Sequence, residues 1–228
     1  MIQRNDLYDY GKYIYQNDDY FKFSLDSILL AEFVKFKKGQ RVLDICCGNA
    51  PVPLILATKE KTLTIEAVEI QKSIYDLAKR SIDESGFSNI TIYNCDAKEY
   101  IAKEKYDIVT CNPPYFKVTK DSMLNDNVVK RNARHETLIE LNDIVRVAKT
   151  NLKENGKLYI VHRVERLIDT INLMDQYKFG IRRICFVYTT NKNAEFFLIE
   201  GELNKKNDPK VRSICIEKYK TYKNIFEE

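Results

Sequence analysis

The sequence predicts an α/β fold: a mostly parallel, seven-stranded sheet with helices on both faces and an antiparallel closing strand. Two observations carry this reading. Strand-like and helix-like segments alternate from residue 41 onward, and polar residues stand at the ends of the first four strands. Arg41–Cys46 (RVLDIC) reads as the first strand and residues 50–59 as the helix that follows it. Thr64–Glu69 is the second strand, and Lys72–Ser85 is an amphipathic helix with Gly86 as its C-terminal cap. Ile90–Asn94 and Tyr106–Cys111 are the third and fourth strands. Leu138–Leu152 has apolar residues at helical spacing and ends near Gly156, before a fifth strand at Lys157–Val161. Arg163–Tyr177 is a further helix, and Arg182–Tyr188 with Glu195–Glu202 form an antiparallel pair that closes the sheet.

The chain of 228 residues shows no repeat, low-complexity tract or linker, so residues 1–228 read as a single domain. Within it, residues 1–40 are an N-terminal extension with a helix beginning near Ser24. Residues 41–204 are the core, and 205–228 a basic C-terminal segment. No apolar run approaches the roughly 18 residues of a membrane span, and the start is too polar for a signal peptide, which makes the cytoplasm the expected location. Six cysteines with no C-x-x-C pair, and only two histidines, read as reduced thiols with no metal site. The net charge of +4 is too mild to establish nucleic-acid binding. Its distribution says more: Lys178 to Lys223 holds 11 Lys/Arg against 5 Asp/Glu, and Lys117 to Arg134 holds 5 against 2. Such runs suit phosphate contacts, or equally a solvated surface.

Ligands in parallel sheets bind beyond the carboxyl ends of the strands. Asp44, Glu69, Asp96 and Asn112 all fall there. The turn Asp44-Ile-Cys-Cys-Gly48-Asn-Ala50 is built of small residues that allow a ligand close to the backbone. Glu69 can accept hydrogen bonds from two ribose hydroxyls, and Asp96, followed by Ala97, can accept one from an adenine amino group. A pyrophosphate needs several donated N–H groups, and this turn has one glycine. A zwitterionic nucleoside without phosphate, S-adenosylmethionine, fits better. Asn112-Pro-Pro-Tyr115 presents a side-chain acceptor, rigid backbone carbonyls and a flat ring, a set suited to holding a planar NH₂ group. The bland reading is a stiff strand-ending turn. The segment from Phe116 to His135 is long, polar and basic, as a lid over the site would be.

With these strings the chain resembles the Rossmann-like class I S-adenosylmethionine-dependent methyltransferases of the Asn-Pro-Pro-Tyr group, and within them the tRNA1(Val) adenine-N6 methyltransferases. The resemblance rests on Phe23-Ser-Leu-Asp-Ser-Ile-Leu-Leu-Ala31, Asp44 to Pro53, Asn112 to Phe116, Ala133-Arg-His-Glu136 and Val161 to Leu167. It implies a tRNA substrate methylated at an adenosine beside the anticodon. It places Asp26, Asp44, Cys46, Gly48, Glu69, Asp96, Ala97 and Asn112 around the cofactor. Asn112, Pro113, Pro114 and Tyr115 become the catalytic set, and Tyr115, Phe116, Lys117, Arg134 and His135 the substrate contacts. Cys46 and Ala50 stand where the family's turn has its first and third glycines, a departure that bears on the backbone path.

The structural alternatives are a loop-anchoring hydrogen bond for Arg134 and His135, a structural role for His162 and Arg163, and strand packing for Tyr8, Tyr10, Tyr13 and Tyr15. The same chemistry would also serve ribosomal RNA, DNA adenine or a protein glutamine. A non-catalytic RNA-binding module is a reading of a different class.

Overall fold

The computed structural model describes residues 1–7, 10–17, 25–113, 139–189, 193–206 and 208–226. The chain opens with an antiparallel hairpin, β1 (Ile2–Asp6) and β2 (Tyr13–Asn17), and then helix α1 (Leu25–Phe33). The alternating part runs β3 (Arg41–Ile45), α2 (Pro51–Lys59), β4 (Thr64–Val68), α3 (Lys72–Ser85), β5 (Ile90–Tyr93) and β6 (Tyr106–Cys111). It continues with α4 (Leu141–Asn151), β7 (Leu152–Arg163), α5 (Leu167–Gln176), β8 (Phe179–Tyr188), β9 (Phe196–Leu203) and β10 (Lys210–Cys215).

The main sheet has the order β5-β4-β3-β6-β7-β9-β8-β10. All pairings are parallel except those of β9, which runs antiparallel to both β7 and β8. The sheet therefore has eight strands, one more than the sequence predicts. The extra strand, β10, lies in the basic C-terminal segment and pairs with β8 from Lys210↔Arg183 to Cys215↔Tyr188. Its apolar signal is weak because it is an edge strand: Val211 faces solvent and only Ile214 is buried.

Local chemistry explains the helix ends. Pro51 begins α2, where its missing N–H costs nothing, and Gly86 closes α3 at φ 76°. Glu140 and Asp143 form a reciprocal capping box at the start of α4. Helix α3 buries Ile74, Leu77, Ala78, Ser81 and Ile82, one face at helical spacing, whereas α2 is buried from Pro51 to Ala57.

Two apolar layers cover the two faces of the sheet, and strand residues alternate between them. Val42, Ile65, Ile108 and Tyr159 face the layer of α1 and α2; Leu43, Val109, Leu158 and Ile160 face that of α4. Two residues further along β3 and β6, Asp44 and Thr110 therefore point to the α1–α2 side. The chain adds strands outward from β3 to β4 and β5, then crosses back to place β6 on the other side of β3. That reversal between β3 and β6 is where a ligand crevice is expected.

Candidate active site

At the end of β6, Thr110 Oγ1 donates to Asp44 Oδ1 at 2.5 Å. Two residues on, Asn112 Nδ2 donates to Ser27 Oγ on α1 at 2.7 Å. Ser27 N–H is in turn held by Asp26 Oδ1 at 2.7 Å, and both residues are buried. The strand switch point is thus lined by β3, β6 and the first turn of α1.

At the end of β4, Glu69 accepts the Gly48 N–H on Oε2 (3.1 Å) and the Gln71 N–H on Oε1 (2.8 Å). It thereby ties the turn after β3 to the loop after β4. Asp44 and Glu69 are only 2% and 5% exposed. Burial pushes the Asp44 carboxyl up to about 7; the Thr110 hydrogen bond opposes this and the nearby Glu69 charge adds to it. Burial also raises Glu69, against the backbone N–H groups that favour its charged form. Among the described residues neither carboxylate forms an ion pair with Lys or Arg. Two desolvated acids side by side without a cation make a pocket suited to a positively charged ligand.

The turn between β3 and α2 resolves the departure from glycine. Cys46 (φ 59°), Gly48 (φ 55°) and Ala50 (φ 63°) all adopt the left-handed conformation. The chain keeps the backbone path that glycines would follow and carries the strain of two side chains there, about 1–2 kcal/mol each. Nothing lies within 4 Å of where a Gly48 Cβ would stand, so that position opens into free space. Asn49 braces the turn from behind, its Nδ2 donating to the Tyr15 carbonyl of β2 at 2.9 Å.

Asp96 is placed differently. It follows β5, but its Oδ1 accepts the Lys98 N–H (2.9 Å) and its Oδ2 lies 3.4 Å from Lys98 Nζ, so its carboxylate serves its own loop. Ala97 beside it is buried. Glu69 is bonded directly to Gly48 and its charge is felt by Asp44, which is bonded to Thr110; Asn112, two residues beyond Thr110, is bonded to the α1 wall, and Asp96 stands one strand further out. Pro113 is buried. Pro114, Tyr115, Phe116, Lys117, Arg134 and His135, with the lid reading of that segment, lie outside the described residues. His162 is buried, takes the Arg163 N–H on Nδ1 (2.8 Å), stacks on Phe197, and is lowered to about 3 by burial.

Ser27 and Thr110 are site residues that sequence reasoning missed. Thr110 had a signal, since it lies two residues before Asn112 on a strand and so on the same face. Ser27 had none beyond its place next to Asp26.

A family model described as the methyltransferase small domain matches residues 22–180. The chain belongs to the methyltransferase small domain family. The match begins before β3 and takes in α1. The tRNA1(Val) (adenine(37)-N6)-methyltransferase of Parabacteroides distasonis is 31% identical over 154 residues, covering 65% of this chain and 63% of that protein. The protein so named from Pseudoalteromonas translucida is 29% identical over 173 residues, covering 76% and 73%. Among solved structures, TYW2 of P. horikoshii in complex with MeSAdo superposes with a TM-score of 0.64 at 10% identity, covering 90% of this chain and 72% of that one. At that identity the likeness speaks for the fold alone, a Rossmann-like methyltransferase sheet. Among the described residues no His, Cys, Asp and Glu cluster could hold a metal ion, and no helix is long and apolar enough to cross a membrane.

Proposed function

We propose that this chain transfers a methyl group from S-adenosylmethionine to N6 of an adenosine in tRNA, the one beside the anticodon of tRNA(Val). The observation that carries the reading is the pair of buried carboxylates, Asp44 and Glu69, without an ion pair to Lys or Arg among the described residues, beside an Asn112 anchored at the end of β6. The similarity to two tRNA1(Val) (adenine(37)-N6)-methyltransferases supports the tRNA and the position. The substrate makes the cytoplasm the place of action.

The residues present fit the cofactor. Glu69 uses one lone pair of each oxygen on a backbone N–H and keeps others for ribose hydroxyls. Asp44 supplies negative charge in a dry site, and the open space at Gly48 admits the ligand beside the turn. Asp26, Cys46, Asp96 and Ala97 complete the surround in this reading. Bound S-adenosylmethionine supplies a methyl group on a cationic sulfur.

The remaining work falls to the chain. An adenine amino nitrogen shares its lone pair with the ring and is a poor nucleophile. Asn112 Oδ1 and the Pro113 carbonyl accept its two hydrogens, which favours a pyramidal nitrogen and localises the pair. The same oxygens stabilise the positive charge that develops on nitrogen, and the surplus proton passes afterwards to water, with no dedicated base. Tyr115 or Phe116 stacks on the displaced base, while Lys117, Arg134 and His135 meet the RNA backbone.

Replacing Asn112 by Ala tests the division of labour. With unmodified tRNA(Val) transcript and labelled S-adenosylmethionine, N112A should lose transfer by at least about 100-fold, the scale of removing one transition-state hydrogen-bonding group. Its cofactor affinity should stay within about twofold of wild type. Equal transfer by N112A and wild type would end this reading, and a matching loss of cofactor affinity would move Asn112 to the cofactor side. Transfer to ribosomal RNA, DNA or a protein glutamine in place of tRNA would keep the chemistry and change the substrate. Absence of cofactor binding would favour the RNA-binding module.

A further inference from the structure

The geometry points to Ser27 as a positioning residue that holds the Asn112 amide with Oδ1 left for the target amine, an inference that rests on the transfer chemistry proposed above. An amide side chain presents a donor and an acceptor on opposite sides of one carbon. Rotating it by half a turn exchanges the two while leaving its shape almost unchanged. For amine methylation the two orientations are opposite in effect. With Oδ1 toward the target, Asn112 accepts a hydrogen from the amino group. With Nδ2 there, two donors face each other and the lone pair gains nothing. The amide must be held in the first of these.

Ser27 Oγ takes the Nδ2 hydrogen at 2.7 Å, which places Oδ1 on the other side. The serine can do this because it is itself held. It is 4% exposed, and its own N–H is fixed by Asp26. It sits on a helix buried from Asp26 to Phe33. The far end of that helix is anchored from four directions. Glu32 Oε1 accepts from Tyr10 Oη (2.5 Å), and Oε2 accepts from Lys59 Nζ (2.7 Å) and from the Asn224 N–H (2.8 Å). Arg183 Nη2 also donates to the Phe33 carbonyl at 2.9 Å. The N-terminal hairpin, α2, the sheet and the C-terminal tail therefore all hold the helix that holds the amide. A serine hydroxyl can donate as well as accept, so what Ser27 contributes is a fixed point: the bond to Oγ on this rigid wall holds the amide plane, and a target amine with two hydrogens to give favours the Oδ1 side.

A merely structural serine and a positioning serine differ in which measured quantity moves. The test compares wild type, Ser27→Ala and Ser27→Thr in single-turnover methylation of unmodified tRNA(Val) transcript, with cofactor affinity by titration and Tm alongside. S27A should lose about 10- to 100-fold in rate, the scale of a misplaced reacting group, with cofactor affinity within about twofold of wild type. S27T keeps the hydroxyl and should recover to within about fivefold of wild type. Should S27A fail to fold, Ser27→Thr against Ser27→Val separates hydroxyl from volume, and only the threonine should be active.

A wild-type rate in S27A, a parallel loss of rate and cofactor affinity, or equal rates for S27T and S27V would each overturn the role of Ser27 while leaving the proposed reaction intact. A wild-type chain that binds cofactor but methylates no tRNA would instead overturn the reaction, and this inference with it.

Discussion

Asp44 gives a sharp prediction because its chemistry is set by burial. Its carboxyl is raised to about 7 by burial, with the Glu69 charge nearby and no ion pair to Lys or Arg among the described residues. A positively charged cofactor requires the ionised form, so binding below pH 7 must release a proton. The apparent dissociation constant then scales as one plus the ratio of protonated to ionised Asp44. It is about twice its limiting value at pH 7 and about 100 times that value at pH 5, a loss of about 50-fold or about 2.3 kcal/mol. Glu69, also raised by burial, steepens the fall at its acidic end.

Asp44→Asn is isosteric, keeps an oxygen for the Thr110 hydroxyl and mimics the protonated acid. Its affinity should be no better than the wild-type value at pH 5 and should lose most of the pH dependence. The stability effect has the opposite sign. The folded pKa of about 7 lies above the reference value of 3.8. The stability this carboxyl contributes is therefore complete in acid and is lost as pH rises from about 4 to about 7. Asp44→Asn should then raise the Tm of the cofactor-free protein at pH 8, by up to about 4 kcal/mol of stability before relaxation. Calorimetric titration with S-adenosylmethionine from pH 5 to 8, with circular dichroism to confirm the fold, reads both. Wild-type affinity that stays flat between pH 7 and 5, or a D44N variant with the wild-type pH slope, would refute the reasoning.

Two further predictions follow from strain and from buried charge. Ala50→Gly relieves a left-handed alanine and should raise Tm by about 2–4 °C for about 1 kcal/mol gained, read by thermal melts; an unchanged or lower Tm would show the turn to be relaxed. Glu32→Ala removes the buried carboxylate that accepts from Tyr10, Lys59 and the Asn224 N–H and should cost about 3–5 kcal/mol in urea unfolding. A loss under about 1 kcal/mol would show that the tail, hairpin and α2 hold α1 by packing alone.

Much of the frame could be read from local signals. The β3 to β6 strands are short and apolar, and Gly86 and Gly48 mark turns whose positive φ suits glycine. Period two, applied from Val42 and Ile108, carries Asp44 and Thr110 to one face of the sheet. What escaped was encoded outside the local pattern. β10 is an edge strand in lysine-rich sequence, stabilised by pairing with β8 rather than by its own hydrophobicity. The role of Ser27 depends on an 85-residue separation closed only by the fold. The basic run from Lys178 also reads differently in three dimensions, because Arg183 and Lys157 bind the buried Glu200 and Arg182 reaches Glu202. Part of that positive charge balances the sheet and is not offered to a partner.

Mass spectrometry of the nucleosides from total tRNA, after incubation with the protein and labelled S-adenosylmethionine, tests the proposed reaction most directly. Labelled N6-methyladenosine mapping to one tRNA beside its anticodon is the expected result. Label in a different tRNA nucleoside would contradict the target, and no label in tRNA from protein that binds the cofactor would contradict the substrate class.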